Sequence, residues 1–143
     1  MNQDRNPRPG RDDANNCFVC SPSNPLGLHV PFHLDGEICR GRFTPAADHC
    51  GYDGITHGGI IFSLLDDVMA NWLYLNGLRC YTAKCEIRYR SPLPTGCRVL
   101  LVGQSLGQKR NVVMMKGIAT REDTGKTIAQ CEASFLVRPE RSA

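Results

Sequence analysis

A glycine pair and a carboxylate pair are the residues of this chain best suited to chemistry on a carbonyl group. His57-Gly58-Gly59 opens an apolar run, and Asp66-Asp67 lies within it, nine and ten residues after the histidine. Glycine lets a ligand approach the backbone closely, and the first N–H groups of a helix are unsatisfied and carry partial positive charge. Such amides would polarise an ester or thioester carbonyl. Asp66 would then act as general base for water, or attack the carbonyl itself.

The element that must position these groups is a helix, predicted over residues 58–76 with Gly77 just after its end. Its apolar arc is wider than a surface helix needs, so we expect the fold to wrap around it. A narrower polar stripe contains Ser63, Asp67, Ala70, Asn71 and Tyr74. Asp66 lies at the margin of that stripe. We therefore expect Asp66, rather than Asp67, to be partly desolvated, which is costly unless the group is paired or used.

Alternating polar and apolar residues predict strands on both sides of the helix. Two short strands, residues 27–33 and 37–44, precede it and are joined at Asp35-Gly36, and Pro31 places the first at an edge. Four more follow, at residues 80–90, 97–106, 110–120 and 127–137, with links at 107–109 and 123–126. This order predicts an α+β fold in which one antiparallel sheet curls around a single long helix.

Length, charge and cysteine content limit the classes of function. The 143 residues suit one domain. A net charge of +3, without a long Lys/Arg run, argues against nucleic acid, and no apolar run is long enough to span a membrane. Residues 1–16 lack the apolar core of a signal peptide, so we expect a disordered tail there, a domain over 17–138 and a short tail over 139–143. The eight cysteines then indicate reduced thiols in a cytoplasmic protein.

The segment from His57 to Asp67, HGGIIFSLLDD, resembles the signature of the hotdog-fold acyl-CoA thioesterases. The resemblance is to the 4-hydroxybenzoyl-CoA thioesterase-like enzymes, and within them to the phenylacetate-pathway subgroup. It covers residues 17–137 and includes the stretches CFVCSPSNPLGLHVPF, DHCGYDGITHGG and TAKCEIRYRSPLPTG. The spacing from the histidine to the acid is its most specific part.

This resemblance implies roles for four catalytic residues. The Gly58 N–H would hold the thioester carbonyl oxygen, and His57 would orient the substrate or fix the loop. Asp66 would be the base or nucleophile, and Thr82 would help to position the water. Alternation, by contrast, places Thr82 on the polar face of its strand. In the family, the helix start of one subunit faces the acid of its partner, so a homodimer or a dimer of dimers is expected.

Further residues are expected to bind the acyl-CoA substrate. Gly59 lies beside the carbonyl site, and His49 occupies the region where relatives often carry an Asn or Gln. Cationic side chains would meet the phosphates of coenzyme A, and the candidates are Arg88, Arg90, Lys109 and Arg110.

A metal site is also conceivable, because Cys17 and Cys20 form a C-x-x-C pair and His29 and His33 follow. A structural zinc site usually takes four ligands from two paired motifs, and only one such pair exists. We therefore expect these thiols to pack a loop, and expect neither a metal nor a cofactor.

Two other functions are compatible with the same fold. A hydratase or dehydratase would move a proton α to the thioester, although its histidine is usually set in another context. A non-enzymatic hotdog protein would bind acyl-CoA without hydrolysing it. Acyl-CoA hydrolysis, with water as second substrate, is the function that these residues favour.

Overall fold

Six strands and one long helix make up the part of the chain that the computed structural model describes, residues 15–138. Of the two predicted tails, only Asn15 and Asn16 fall among the described residues. The elements are β1 (His33–Asp35), β2 (Ile38–Phe43), α1 (Gly58–Leu75), β3 (Cys80–Tyr89), β4 (Val99–Lys109), β5 (Val112–Arg121) and β6 (Thr127–Val137). The predicted order of elements is confirmed.

The six strands form one antiparallel sheet in the order β1-β2-β4-β5-β6-β3. Helix α1 packs against this sheet, and its buried apolar residues are Ile61, Leu64, Leu65, Val68, Met69 and Leu73. The predicted hotdog fold is therefore confirmed. Strand β3 lies at one edge, and β6 is its only neighbour among the described strands. Within residues 15–138, α1 and every other helix fall short of the length and apolarity that a membrane crossing requires.

A pair of glycines brings the middle of α1 close to the sheet. Gly103 of β4 and Gly117 of β5 lie directly opposite each other in register. A Cβ atom on Gly103 would lie 2.7 Å from the Val68 carbonyl oxygen, and one on Gly117 would lie 3.1 Å from the Cys131 Sγ atom. Only a hydrogen fits at Gly103, because the helix backbone occupies the space that a side chain would need.

The first predicted strand is wrong over most of its length, because β1 begins only at His33. The N-terminal loop comprises residues 17–27. The Leu28 N–H donates instead to the Phe18 backbone oxygen of this loop at 2.8 Å, and the Val30 N–H donates to the Val19 backbone oxygen at 2.9 Å. His29 has a φ of 58°, which interrupts an extended strand. Leu28, Val30 and Phe32 are nevertheless buried, so the alternating pattern correctly predicted burial but not sheet pairing.

Two predicted links are displaced along the chain. The first hairpin turns at Gly36 and Glu37, because Asp35 still pairs with Ile38, and Gly36 has a φ of 62°. The link between β4 and β5 turns at residues 110–111 rather than 107–109. The register shifts near Gly107, so this glycine belongs to a bulge within β4 and does not end the strand.

A second bulge changes which residues of β3 face the helix. Thr82 pairs with Phe135 and Lys84 pairs with Ser134, so Ala83 is an extra residue with no partner of its own. The side-chain alternation therefore reverses at this point. Thr82 shares a face with the buried Phe135, and the prediction from strict alternation that Thr82 lies on the polar strand face is wrong.

Candidate active site

Helix α1 begins at Gly58, and the side chain of His57 caps it. The His57 Nδ1 atom accepts a hydrogen bond from the Gly59 N–H at 2.8 Å, so one of the otherwise unsatisfied amides of the first turn is used within the cap. The Gly58 N–H also has no acceptor within the helix. Of the two predicted glycine contacts, Gly58 is therefore the better placed amide for a substrate carbonyl, while Gly59 is tied to His57.

His49 holds the loop that leads into this cap. It ends a short 3-10 turn, Ala47–His49, and its Nδ1 atom accepts from the Ala46 N–H at 2.9 Å. Its ring packs on Phe43 with 5.4 Å between ring centroids, and its backbone oxygen accepts from the His57 N–H at 2.8 Å. These contacts position the loop, and the predicted contact of His49 with substrate stays a prediction.

A pocket of about 250 Å³ opens beside the helix start, lined by Thr56, Gly58, Ile61, Tyr89, Arg90, Ser91, Pro92, Leu93 and Ile128. The Tyr89 hydroxyl donates to the Gly58 carbonyl oxygen at 2.8 Å and so ties the end of β3 to the first turn of α1. The Thr56 hydroxyl oxygen is buried and has no hydrogen-bond partner among residues 15–138. Because a buried hydroxyl usually has a partner, this pocket offers a polar group that a ligand or water can satisfy.

Asp66 faces β3 from the middle of α1. The Thr82 hydroxyl donates to the Asp66 Oδ1 atom at 2.7 Å, so the structure brings these two predicted residues together. Burial raises the pKa of the Asp66 carboxyl above its usual value, the Thr82 hydrogen bond opposes that rise, and negative charge at Cys17 adds to it. The predicted partial desolvation of Asp66 is confirmed, and a raised pKa makes a carboxylate a stronger base.

Asp67 lies on a different side of α1 and is 8% exposed. The Asn71 Nδ2 atom donates to the Asp67 Oδ2 atom at 2.9 Å, and the Cys17 Sγ atom lies 3.7 Å from Asp67 Oδ1. The expectation that Asp67 is the more solvated acid is therefore wrong. The polar stripe of α1 does not face solvent here, because the N-terminal loop covers it.

Gly58 and Asp66 are too far apart in one chain to act on the same carbonyl group. They are eight residues apart on one helix, and a rise of 1.5 Å per residue separates them by about 12 Å along its axis. A single reacting atom needs both groups within about 3 Å. One copy of the chain therefore supplies two half-sites, an amide at the helix start and a carboxylate farther along.

The predicted cationic residues divide between opposite ends of the sheet. Arg90 lines the pocket at Gly58, and Arg88 lines an adjoining depression of about 310 Å³ with Arg90, Lys116, Glu86 and Glu132. Lys109 and Arg110 lie where β4 turns into β5. Lys109 pairs with Val112, which in turn pairs with Leu136 near the end of β6. Within one chain, Arg88 and Arg90 are closer to the helix start than Lys109 and Arg110 are.

The sequence-based set lacked two residues beside the helix start, Thr56 and Tyr89, and it also lacked Asn71, which donates to Asp67. Tyr89 carried a signal, because alternation places it on the same strand face as Cys85 and Ile87. Asn71 also carried one, because it lies four residues after Asp67 on the helix. Thr56 carried none, since its burial depends on the backbone pairing of residue 56 with Leu93.

Comparison with known proteins identifies the class to which this fold and site belong. The family model described as the thioesterase superfamily matches residues 53–128, which is more than half of the 143 residues. The chain therefore belongs to the thioesterase superfamily. The matched range contains the helix cap, both carboxylates and Thr82. A search of curated proteins gave no match.

Solved structures share the fold at low sequence identity. A hypothetical thioesterase protein from Streptococcus pneumoniae TIGR4, solved with coenzyme A, is 19% identical with a TM-score of 0.72, covering 79% of this chain and 88% of that one. The PaaI protein of E. coli, from the phenylacetic acid degradation operon, is 21% identical with a TM-score of 0.71, covering 76% and 83%. Zebrafish thioesterase superfamily member 2 is also 21% identical with a TM-score of 0.71, covering 79% and 83%.

Proposed function

We propose that this protein hydrolyses acyl-CoA thioesters, with the Gly58 N–H as oxyanion donor and Asp66 as base or nucleophile. The observation that carries the proposal is the 2.7 Å hydrogen bond from Thr82 to Asp66. It holds a partly buried carboxylate on the side of α1 that faces the edge strand of the sheet. Membership of the thioesterase superfamily supports the reaction type, and the relative solved with coenzyme A supports the substrate class.

The chemistry assigns one task to each group. The Gly58 N–H donates to the thioester carbonyl oxygen and stabilises the negative charge that develops there, which is typically worth about 3–4 kcal/mol for one such donor. Asp66 accepts a proton from water as the water oxygen attacks the carbonyl carbon. The C–S bond then breaks, and the proton on Asp66 passes to the sulfur, giving free acid and the thiol of coenzyme A. As a nucleophile, Asp66 would instead form an anhydride that water opens.

The separation of about 12 Å between the half-sites along the helix axis requires a second copy of the chain for this mechanism. Strand β3, which carries Thr82, has a neighbour on one side only among the described strands, and an unpaired strand edge is suited to pairing with another chain. We infer a homodimer, alone or within a dimer of dimers, in which Gly58 of one copy faces Asp66 of the other. Arg88 and Arg90 then lie near the helix start, where they can meet phosphates of coenzyme A.

A thiol-release assay over a panel of aliphatic and aromatic acyl-CoAs tests the proposed reaction. Each reaction needs a control without substrate, because the protein has eight cysteines of its own. Asp66→Asn should keep the fold and lose most of the activity. The control is Asp123→Asn, which replaces an exposed acid paired with Arg121 and should keep the activity. Wild-type turnover by Asp66→Asn on every accepted thioester would refute the role of Asp66.

The same panel separates the two rival functions. Tight binding of acyl-CoA without thiol release at any chain length would indicate a binding protein. Loss of the enoyl absorbance of crotonyl-CoA without thiol release would indicate a hydratase. Either result would replace hydrolysis as the function of this fold.

Mixing two inactive variants tests whether the site is shared between copies. Gly58→Pro removes the Gly58 N–H, and the position tolerates proline because it is the first helical residue and His57 has a ψ of 135°. Gly58→Ala keeps the N–H and is the matched control, since its Cβ would meet Tyr89 at an ordinary 3.4 Å.

Coexpressed Gly58→Pro and Asp66→Asn chains should regain about a quarter of wild-type activity, because about half of the dimers are mixed and each mixed dimer has one intact site. No recovery in a folded mixed dimer would refute a site built from Gly58 of one copy and Asp66 of the other.

A further inference from the structure

A cluster of three potential metal ligands lies where the N-terminal loop meets α1. The Sγ atoms of Cys17 and Cys20 and a carboxylate oxygen of Asp67 all lie within 4.8 Å of one another. Cys20 and Asp67 are buried, and Cys17 is half-buried. The cluster joins the N-terminal loop to the helix residue next to Asp66, and the proposed hydrolysis uses none of its three members.

The spacing of the Cys17 and Asp67 atoms is close to that of two ligands around a zinc ion, and the Cys20 Sγ atom lies within 4.8 Å of both. Zinc binds cysteine sulfur at about 2.3 Å and carboxylate oxygen at about 2.0 Å in a tetrahedron, which places the two ligand atoms about 3.5 Å apart. The Cys17 Sγ atom lies 3.7 Å from Asp67 Oδ1 and 4.0 Å from Oδ2. A small movement of one rotamer would therefore bring both atoms onto a single ion.

The groups around the ligands also fit a metal site. The Cys20 N–H donates to the Cys17 Sγ atom at 3.4 Å, and the C-x-x-C spacing makes this contact within one tight turn. The Asn71 Nδ2 atom donates to the Asp67 Oδ2 atom at 2.9 Å and so fixes the orientation of that carboxylate. Donors of this kind stabilise anionic ligands and hold them in position.

We propose that Cys17, Cys20 and Asp67 bind a zinc ion, with water in the fourth position. The proposal departs from the expectation of no metal, and its ligand set differs from the one considered from the sequence, in which His29 and His33 accompanied the cysteines. The His29 ring contacts the Asn24 backbone oxygen, and His33 lies exposed in β1. The third ligand comes instead from α1, 47 residues after Cys20 in the numbering.

The chemistry of the ligands favours zinc over harder or redox-active ions. Thiolates select zinc over magnesium, calcium and manganese, which prefer oxygen ligands. Two thiolates and a carboxylate carry three negative charges in a buried place, and a divalent cation would compensate most of that charge. The ion would clamp the N-terminal loop to α1, and its binding would release the protons of the two thiols.

Metal analysis of the full-length protein tests the proposal directly. The protein, purified under reducing conditions with zinc and dialysed against zinc-free buffer, should retain about one zinc per chain by mass spectrometry. Cys17→Ser, Cys20→Ser and Asp67→Asn should each lose most of it. The matched control is Cys97→Ser, a half-buried cysteine outside the cluster, which should retain it. A wild-type chain without bound zinc, or equal retention by all variants, would refute the site.

Three readouts on the wild-type chain keep the test decisive if a variant does not fold. Cobalt in place of zinc should give the near-ultraviolet absorption of thiolate-to-cobalt charge transfer, and its absence would overturn the ligand assignment. Thiol titration in denaturant should find all eight cysteines reduced. A persistent Cys17–Cys20 disulfide would show that the pair serves as a redox cross-link and not as a metal site. Added zinc should also raise the melting temperature of the metal-free protein.

Discussion

Asp66 and Asp67 are neighbours in the chain, yet α1 directs them into different surroundings. One residue turns a helix by about 100°, so Asp66 meets β3 while Asp67 meets the N-terminal loop. We call Asp66 with Thr82 the Asp66 flank, and Asp67 with Asn71, Cys17 and Cys20 the Asp67 flank. The first carboxylate is partly exposed and accepts from one hydroxyl. The second is buried among an amide and two thiols. The difference separates a carboxylate available to a substrate from one held in place.

The largest expected effect is the difference in activity between the amide variants of the two acids. Asp66→Asn removes the base or nucleophile and should lower kcat/KM by about 10²–10⁴, the usual contribution of a positioned acid–base group. Asp67→Asn should lower kcat/KM less than about tenfold and mainly reduce stability, because it weakens a buried polar cluster. Steady-state thiol release by the folded variants measures both. Equal losses would mean that the functional carboxylate has been chosen wrongly.

Thr82→Val should give the next largest effect, confined to the Asp66 flank. It removes a hydrogen bond to a charged group, worth about 1.5–3 kcal/mol, so kcat should fall roughly 10- to 100-fold. Thr82→Ser should restore most of the activity, and Thr120→Val on β5 is a control for loss of a hydroxyl from the sheet. If Thr82→Val lowers the melting temperature but leaves kcat unchanged, then its hydroxyl is only structural.

Asn71→Ala tests the Asp67 flank in the opposite sense. Asn71 is fully buried and donates to both the backbone and the side chain of Asp67, so its loss should cost about 1–3 kcal/mol of unfolding free energy. The activity of the folded fraction should change less than about threefold. Asn76→Ala, at the exposed end of α1, is the control. Chemical denaturation measures the stability of both variants, and thiol release measures their activity. A large loss of activity in Asn71→Ala without loss of stability would contradict the distinction between the flanks.

The smallest effect is expected at the helix start. Thr56→Val removes a buried hydroxyl that has no partner among residues 15–138, so stability should stay equal or rise by up to about 1 kcal/mol. If the substrate satisfies that hydroxyl, then KM should rise roughly fivefold, the value of one neutral hydrogen bond. Lower stability with an unchanged KM would place Thr56 outside the site.

The helix and its two ends were predictable because their signals are local. The HGG run marks its start, and Gly77, with a φ of 84°, follows its end as predicted. The partial burial of Asp66 also followed from its place among apolar neighbours on α1. These features depend on residues within a few positions of each other, which periodicity and turn chemistry describe well.

The features that could not be predicted depend on contacts between distant segments. Asp67 lies in a polar stripe, and its burial results from the N-terminal loop some 50 residues earlier. Thr82 faces α1 because Ala83 bulges, and no residue type marks that bulge. The segment at residues 28–30 pairs with the N-terminal loop instead of β2, since alternation predicts which side chains are buried but not which backbone they join.

The opposed glycines beneath α1 give the two flanks a common dependence. A methyl group on Gly103 would press on the Val68 carbonyl, one residue beyond Asp67, and would lift this turn of the helix from the sheet. That movement would lengthen the reach from Asp66 to Thr82 and also shift Asp67 relative to Cys17. Both flanks thus depend on the same distance between α1 and the sheet. A side chain added at Gly103 would therefore weaken catalysis and the anchoring of the N-terminal loop together.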